Sequence, residues 1–189
     1  MLVDKPEHII ERVNADPFEG NTMEFKMDVP EHQYNNGELY NLCIRKGTLS
    51  EEERFKINEH IIQTLLMLRK LPFPIYLINV PEIAGAHHET MIGTGYPLRL
   101  KKDEMSIPAR IMAIADIFEA LTARDRPYKK PKTLSESLQI MSSMRDDQYI
   151  DPELFELFLT SKVYQEYAEK FLDPSQIDRV DITQFLSAQ

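Results

Sequence analysis

The sequence contains almost no cysteine and no long apolar run. Its single cysteine, Cys43, cannot form an internal disulfide, and one thiol without a second thiolate is a poor metal site. Because Cys43 stands between Leu42 and Ile44, we expect it to be a small core residue. No apolar stretch approaches the roughly 20 residues that span a bilayer, and the first residues lack the basic-then-apolar pattern of a secretory signal. These absences predict a cytoplasmic protein with no membrane span.

An excess of positive charge is also absent. The chain has 22 Lys and Arg against 31 Asp and Glu, a formal net charge of -9. Proteins that bind nucleic-acid backbones broadly do so through clustered cations, so we expect no DNA or RNA partner. The one concentrated basic stretch is RDRPYKKPK, residues 124–132. A bound phosphate therefore needs this stretch or a metal ion.

Alternating strand patterns of useful length are missing, and helical patterns take their place. Ser50 and Glu53 form a capping box, after which apolar residues recur at helical spacing from Ile57 to Leu68, until Pro72 ends the helix. Further helices are predicted over about 75–88 with an interruption at Pro81, over 108–123, from the Thr133 capping box, from Asp151 with Pro152, and over 161–172. The predicted fold class is all-α, and residues 1–47 are its least regular part.

Two adjacent histidines begin the stretch HHETMIGTGYP, residues 87–97. Side chains of neighbouring helical residues point about 100° apart, so His87 and His88 reach one metal site only near a helix end or by serving two metals. The alternative is that they end a helix, where a charged imidazole suits the helix dipole. The two glycines that follow let the loop bring backbone amides close to a ligand.

Asp116 lies in the helical stretch ARIMAIADIFEALTA but off its apolar stripe of Ile111, Ile114, Phe118 and Leu121. It shares a line with alanines, where another backbone can approach closely. A carboxylate buried there needs a cation, either a metal or a basic partner. The alternative, a structural Asp hydrogen-bonded to a helix end, remains equally open on this pattern.

The stretch HHETMIGTGYP fits the signature HHExxxGxGYP of the HD-GYP proteins, a branch of the HD superfamily of metal-dependent phosphohydrolases. IPARIMAIADIFEALTARDRPYKKPKTLSESL resembles the family's continuation, and GTLSEEERFKINEH resembles the segment with its preceding metal-binding histidine. The resemblance covers about residues 47–138. It implies an HD-superfamily-like helical bundle with a GYP loop and divalent metal ions, usually iron or manganese, with zinc compatible. It also implies hydrolysis of cyclic di-GMP.

Carried over by position, the resemblance assigns three groups of residues. The metal ligands would be His60, His87, His88 and Asp116. The loop that borders the substrate would be Gly93, Gly95, Tyr96 and Pro97. Phosphate contact and catalysis would fall to Arg126, Lys129, Lys130 and Glu119, the last standing where the family often has Asp.

One departure from the family is large, because the chain contains no His-Asp dipeptide. Counted back without gaps, the position of that metal-bridging doublet falls on Glu31 and His32, which either substitute in part or are loop residues. We divide the chain into an irregular segment, 1–46, as a partial upstream part of the domain, and an HD-GYP-like helical domain, 47–189. The chain is also compatible with being the C-terminal piece of a longer signalling protein.

Two functions follow as hypotheses. The first is a metal-dependent phosphodiesterase that hydrolyses cyclic di-GMP in bacterial signalling. The second is a degenerate HD-GYP domain that binds a cyclic dinucleotide, or a partner such as a GGDEF cyclase through the GYP loop, without hydrolysis. The family resemblance and the long C-terminal helices leave a homodimer open.

Overall fold

The computed structural model of the protein describes residues 2–13, 18, 23–45, 47–124 and 131–186. Arg126, Lys129 and Lys130, the predicted phosphate-contacting residues, lie outside the described residues. None of the helices in the described ranges is both long and apolar enough to cross a membrane.

The described chain is mostly helical when α- and 3₁₀-helices are taken together, which confirms the predicted all-α fold class. Its α-helices are α1 (Glu38–Leu42), α2 (Glu51–Asn58), α3 (His60–Leu68), α4 (Val80–Gly85), α5 (Ile107–Thr122), α6 (Leu134–Asp146), α7 (Pro152–Thr160) and α8 (Val163–Phe171). Short 3₁₀ helices cover Pro6–His8, Ile75–Leu77, Lys102–Glu104, Pro174–Gln176 and Ile182–Phe185.

A small antiparallel sheet, which the sequence did not predict, lies in the segment expected to be irregular. Strand β1 (Ile9–Glu11) pairs with strand β2 (His32–Asn35), and Ile10 lies opposite Tyr34. Strands this short carry too few residues for an alternating pattern to be recognised. Strand β2 packs against α2, so the sheet is attached to the helical part of the protein.

The helix starts follow the predicted capping residues. The Ser50 hydroxyl accepts the Glu53 amide at 3.2 Å, and the Glu53 carboxylate accepts the Ser50 amide at 2.9 Å, which closes the capping box of α2. Thr133 and Glu136 form the same reciprocal pair at the start of α6. The Asp151 carboxylate caps α7. These interactions are local, and the sequence predicts them well.

The helix predicted from Ser50 to the prolines is interrupted at Glu59, which separates α2 from α3. One predicted core residue lies on the surface, because Ile57 is 55% exposed while Ile61 and Leu65 are buried. The apolar repeat therefore predicts the buried residues of α3 but not those of α2, which are Glu52 and Phe55.

Four further expectations are corrected. Cys43 is exposed because it ends α1, a short helix without buried residues. Ile111 is 49% exposed, whereas Ile114 and Phe118 of the predicted stripe are buried. Pro81 lies in the first turn of α4, so it begins this helix and does not interrupt one. Lys162, with a φ of 60°, separates α7 from α8.

The main hydrophobic core joins the C-terminal helices α5 to α8. Its buried members include Ile114, Phe118, Leu138, Met141, Ile150, Phe155 and Leu159. Towards the other end of the chain, α4 packs against both α3 and α5. This packing brings the end of α4, where the paired histidines follow, next to the start of α3, where His60 lies.

A candidate metal centre beside a closed loop

Three histidines converge at the junction of α3 and α4. One ring nitrogen from each of His60, His87 and His88 lies within 4.8 Å of the other two. The Nε2 atoms of His60 and His88 are 3.3 Å apart. Two nitrogens that bind one ion at about 2.1 Å, with angles of 90° to 109°, are roughly 3.0 to 3.4 Å apart. The separation of these two nitrogens therefore suits a shared divalent ion.

Backbone carbonyls fix the orientation of two of the rings. Nδ1 of His60 lies 2.6 Å from the carbonyl oxygen of Ile57, and Nδ1 of His87 lies 2.7 Å from that of Ala84. A carbonyl oxygen only accepts hydrogen bonds, so each Nδ1 must carry the proton. This tautomer leaves the Nε2 lone pair available, as in histidines that bind metals while their second nitrogen donates to a carbonyl.

The protonation of His88 also suits metal binding. Burial, followed by the positive charge of His87, lowers the pKa of His88 to about 4, against a smaller opposing effect of Asp116. His88 is therefore neutral at pH 7, and a neutral imidazole is the form that binds metal ions. A donor set of imidazole nitrogens fits a divalent transition metal.

Asp116 is not one of the three grouped ligands. Its side chain is on the exposed side of α5, although Ala109 and Ala113, on the predicted line of small residues, are buried. The expectation of a buried carboxylate that requires a cation is thus wrong. Its charge nevertheless acts on both His88 and Tyr96, so Asp116 lies near the histidines. Its role as a ligand stays a prediction.

The glycine loop folds back over the histidines. Gly93 has a φ of +76°, a conformation that residues with a side chain rarely adopt. A Cβ atom on Gly95 would lie 2.4 Å from the Cα of Glu89, so only glycine fits there. Pro97 follows through a cis peptide bond.

Tyr96, between these residues, stacks on the ring of His88 at a centroid distance of 4.8 Å and an angle of 23°. Burial, with a smaller contribution from the charge of Asp116, raises the pKa of Tyr96 to about 12. Tyr96 thus keeps its hydroxyl proton at neutral pH. The loop therefore presents a hydrogen-bond donor directly beside the candidate metal centre.

Glu89 is a functional candidate that the sequence interpretation left without a role. Its side chain is buried at 3% exposure, and its carboxylate accepts the backbone amides of Leu98 at 2.7 Å and Leu100 at 2.9 Å. Burial raises its pKa, while these amides act in the opposite direction. The only sequence signal for it is its place directly after the two histidines.

Two clefts flank the loop and share Thr94, Gly95 and Tyr96. The smaller cleft, of about 260 Å³, also contacts His87 and His88. The larger, of about 410 Å³, includes residues of α2 and of the segment 26–30. Its described cationic side chains are Lys26, Arg54 and Arg99, and its aromatic ones are Phe55 and Tyr96.

The remaining predicted site residues lie elsewhere. The ring of His32, in β2, has Nδ1 3.4 Å from Glu11 Oε2, and the grouped histidines do not include it. Glu31 is exposed and lies directly before this strand. Of the two alternatives for this pair, the structure favours residues outside the metal centre. Glu119 lines a separate cleft of about 240 Å³ beside Arg124, among whose described lining residues there is no histidine.

Comparisons with known proteins agree with this arrangement. The sequence model of a family described as "HD domain" matches residues 4–154. A probable cyclic di-GMP phosphodiesterase of Vibrio cholerae is 36% identical over 139 residues, which are 70% of this chain and 31% of that protein. A cyclic di-GMP phosphodiesterase of Thermotoga maritima is 37% identical over 118 residues, 62% of this chain and 31% of the relative.

A third relative is named for a different cyclic dinucleotide. The 3′3′-cGAMP-specific phosphodiesterase 3 of Vibrio cholerae is 40% identical over 112 residues, 59% of this chain and 23% of that protein. The chain thus matches less than one third of the length of each of these three relatives.

Proposed function

Because the chain belongs to the HD domain family and is of its HD-GYP type, we propose that it is a metal-dependent phosphodiesterase of cyclic dinucleotides, with cyclic di-GMP as the first candidate substrate. The observation that carries this proposal is the convergence of His60, His87 and His88 within 4.8 Å beside the glycine loop. The names of the relatives support the substrate class.

We assign the metal ligands to His60, His87 and His88, with Asp116 as the nearby carboxylate. Imidazole nitrogens with one carboxylate suit iron or manganese, and zinc as well. When bound, such an ion supplies positive charge to a phosphodiester and makes hydroxide available near neutral pH. The carbonyls of Ile57 and Ala84 hold two of the rings through Nδ1 and so leave the Nε2 atoms of His60 and His87 to bind such an ion.

The substrate would lie along the loop, across both clefts. Tyr96 keeps its proton and so offers a hydrogen bond to an anionic oxygen. Lys26 and Arg99 line the larger cleft and favour an anionic ligand there, although Arg99 also pairs with Asp28 at 2.7 Å. The contacts of Arg126, Lys129 and Lys130 with phosphate, and a catalytic role of Glu119, stay predictions.

The test combines metal analysis with turnover. Protein loaded with iron, manganese or zinc is incubated with cyclic di-GMP and with 3′3′-cGAMP, and linear and mononucleotide products are separated by chromatography. We expect turnover with at least one metal, and His87→Ala should lose both bound metal and activity. His32→Ala is the matched control, because His32 pairs with Glu11 away from the three grouped histidines. Absence of product with every metal contradicts the proposal.

A second candidate function rests on the missing His-Asp doublet. Since Glu31 and His32 are not among the described residues grouped with the histidines, neither supplies there the bridging carboxylate that the family resemblance leads one to expect. The domain would then bind a cyclic dinucleotide without hydrolysis, or a GGDEF cyclase through the exposed side of the loop, where Ile92 is 50% exposed. Calorimetry that detects nucleotide binding without product formation would select this function. A homodimer and a cytoplasmic location remain expectations.

A further inference from the structure

We propose that Glu89 is a positioning residue, whose buried carboxylate fastens the glycine loop so that Tyr96 stays stacked on His88. The inference rests on the proposed function for its effect on substrate binding. The positioning of the loop by Glu89 depends only on contacts within this chain and does not require the proposed function. Glu89 would thus have a role different from that of His87 and His88, which precede it in the HHE stretch.

Both carboxylate oxygens of Glu89 are occupied by the loop. Oε1 accepts the amide of Leu98 at 2.7 Å, and Oε2 accepts that of Leu100 at 2.9 Å. Among the described residues, no ion pair with Glu89 lies within 4.0 Å, and the grouped metal-binding atoms do not include it. A buried carboxylate with these partners holds backbone through both of its oxygens.

The backbone between the two donors is shaped for this contact. Arg99 has a φ of 55°, which is unusual for a residue with a side chain. A left-handed residue within a turn directs successive amides to one side, and such a concave group of amides binds an anion. The conformation of Arg99 is therefore explained by the carboxylate that its neighbours hold.

The part of the loop before Leu98 contacts the backbone of His88 and Glu89. The Tyr96 amide donates to the His88 carbonyl at 3.3 Å, and Gly95 packs directly on the Glu89 backbone, since a Cβ there would lie 2.4 Å from its Cα. The loop is thus attached on both sides of Tyr96. Without the carboxylate, the arm from Leu98 to Leu100 loses its two amide contacts, and the tyrosine ring loses one of its supports.

The first test needs neither metal nor substrate. Stacking on Tyr96 places the His88 ring protons in the tyrosine ring current, which shifts their NMR signals upfield. The variant Tyr96→Leu gives the chemical shifts of the same protons without this stacking. We expect Glu89→Ala to lose this shift. Glu89→Gln should retain part of it, because its one oxygen still accepts an amide while its NH₂ group faces the other donor. If Glu89→Ala does not fold, the isosteric Gln variant decides the question.

Glu104→Ala is the matched control. Its carboxylate also accepts a nearby backbone amide, that of Lys101 at 2.8 Å, but it is exposed and belongs to a 3₁₀ turn after the loop. The Glu104→Ala variant should keep the full upfield NMR shift of the His88 ring protons. The proposal is overturned if both Glu89 variants keep the shift as well, or if Glu89→Gln loses bound metal while the stacking signal stays.

The second test measures substrate binding in the metal-loaded protein. A loosened Tyr96 should raise KM for the cyclic dinucleotide about tenfold and leave kcat within about threefold, since the loop contributes more to binding than to the metal centre. Metal content should not change. If the wild-type protein shows no turnover, the proposed function has failed, whereas the NMR result still decides the role of Glu89.

Discussion

Gly85, the last residue of α4, lies against Leu65 of α3 with no room for a side chain between them. A Cβ atom on Gly85 would lie 2.3 Å from Cδ2 and 2.8 Å from Cγ of Leu65. Leu65 is 2% exposed and has little space to move. This contact sets how closely His87 and His88, which follow α4, approach His60 at the start of α3.

Gly85→Ala should therefore weaken metal binding as well as folding. The added methyl group forces α3 and α4 apart, and overpacking of this kind costs about 1–3 kcal/mol of unfolding free energy. We expect metal affinity to fall about tenfold, because the ring nitrogens no longer meet at the required separation. Urea unfolding of the metal-free protein and calorimetric metal titration measure the two effects separately.

A second substitution tests the geometric explanation. Leu65→Ala alone leaves a cavity, but combined with Gly85→Ala it makes space for the new methyl group, so the two effects should be strongly non-additive. Metal affinity should recover in the double variant. If Gly85→Ala binds metal as tightly as the wild type does, this contact does not control the site.

The lowered pKa of His88 predicts an acid-sensitive metal-free protein. Its pKa is about 4 in the folded chain against an ordinary 6.5. Between these values the unfolded chain binds the proton and the folded chain does not, so stability rises with pH from about 4 to 6.5 and is constant above. The shift corresponds to at most about 3 kcal/mol.

This pH dependence is measured by denaturant unfolding at several pH values in the presence of a chelator. His88→Gln removes the titrating group and should flatten the curve between pH 4 and 6.5. An unchanged slope in this variant would falsify the attribution to His88. A second readout is the titration of the His88 ring itself by NMR.

Local patterns predicted much of the fold, and tertiary packing determined the rest. Ser50, Thr133 and Asp151 were identified as caps because a cap depends only on residues a few positions away. The exposure of Ile111 could not be predicted, since it depends on which helices pack against α5. The same holds for Cys43, whose apolar neighbours suggested a core position that α1 does not provide.

The candidate site was predictable to a similar extent. The resemblance identified His60 together with the adjacent pair, but spacing alone does not bring residues from α3 and α4 together. Counting back without gaps reaches Glu31 and His32, and His32 lies in the strand that pairs with β1 and is not among the grouped histidines; a part for this pair in the metal centre stays a prediction. Glu89 was missed because its partners are backbone amides, which leave no trace in the sequence.

Asp151 should contribute more to the free energy of unfolding than a helix cap alone does. It is buried, it pairs with Arg110 of α5, and Lys102 Nζ lies 3.4 Å from its carboxylate. Asp151→Asn keeps a capping oxygen but leaves Arg110 without its charge partner, while Lys102 retains Glu153 at 3.6 Å. Breaking a buried ion pair in this way costs about 3–5 kcal/mol. Glu153→Gln is the control, since Glu153 is 85% exposed and should change stability by less than about 1 kcal/mol.

The charge of Asp151 also predicts a pH effect. Burial alone would raise its pKa, but the hydrogen bond from Arg110 and the capping amides outweigh burial and hold the pKa below the ordinary 3.8. Its contribution is therefore present above pH 3.8 and is lost as the pH falls through the lowered value. Acid unfolding of Asp151→Asn should show a weaker dependence on pH in this range than the wild type does.

Phe155 and Leu157 of α7 provide a matched test of the C-terminal core. Phe155 is fully buried, whereas Leu157, two positions along the same helix, is 58% exposed. Phe155→Ala removes a large buried side chain and should cost about 3–5 kcal/mol, while Leu157→Ala should cost less than about 1 kcal/mol.

Replacement by Ala improves the helix propensity in both variants by no more than about 0.7 kcal/mol, which is small beside the expected difference, so the comparison reports packing. Urea unfolding of the two proteins at pH 7 gives the difference directly. The three histidines lie outside this core, and Phe155→Ala should therefore retain the wild-type metal affinity under conditions in which it is folded. Equal losses of stability in the two variants would mean that α7 does not pack on α5 as described. Loss of metal binding from folded Phe155→Ala would show that the core and the metal centre are coupled through α5.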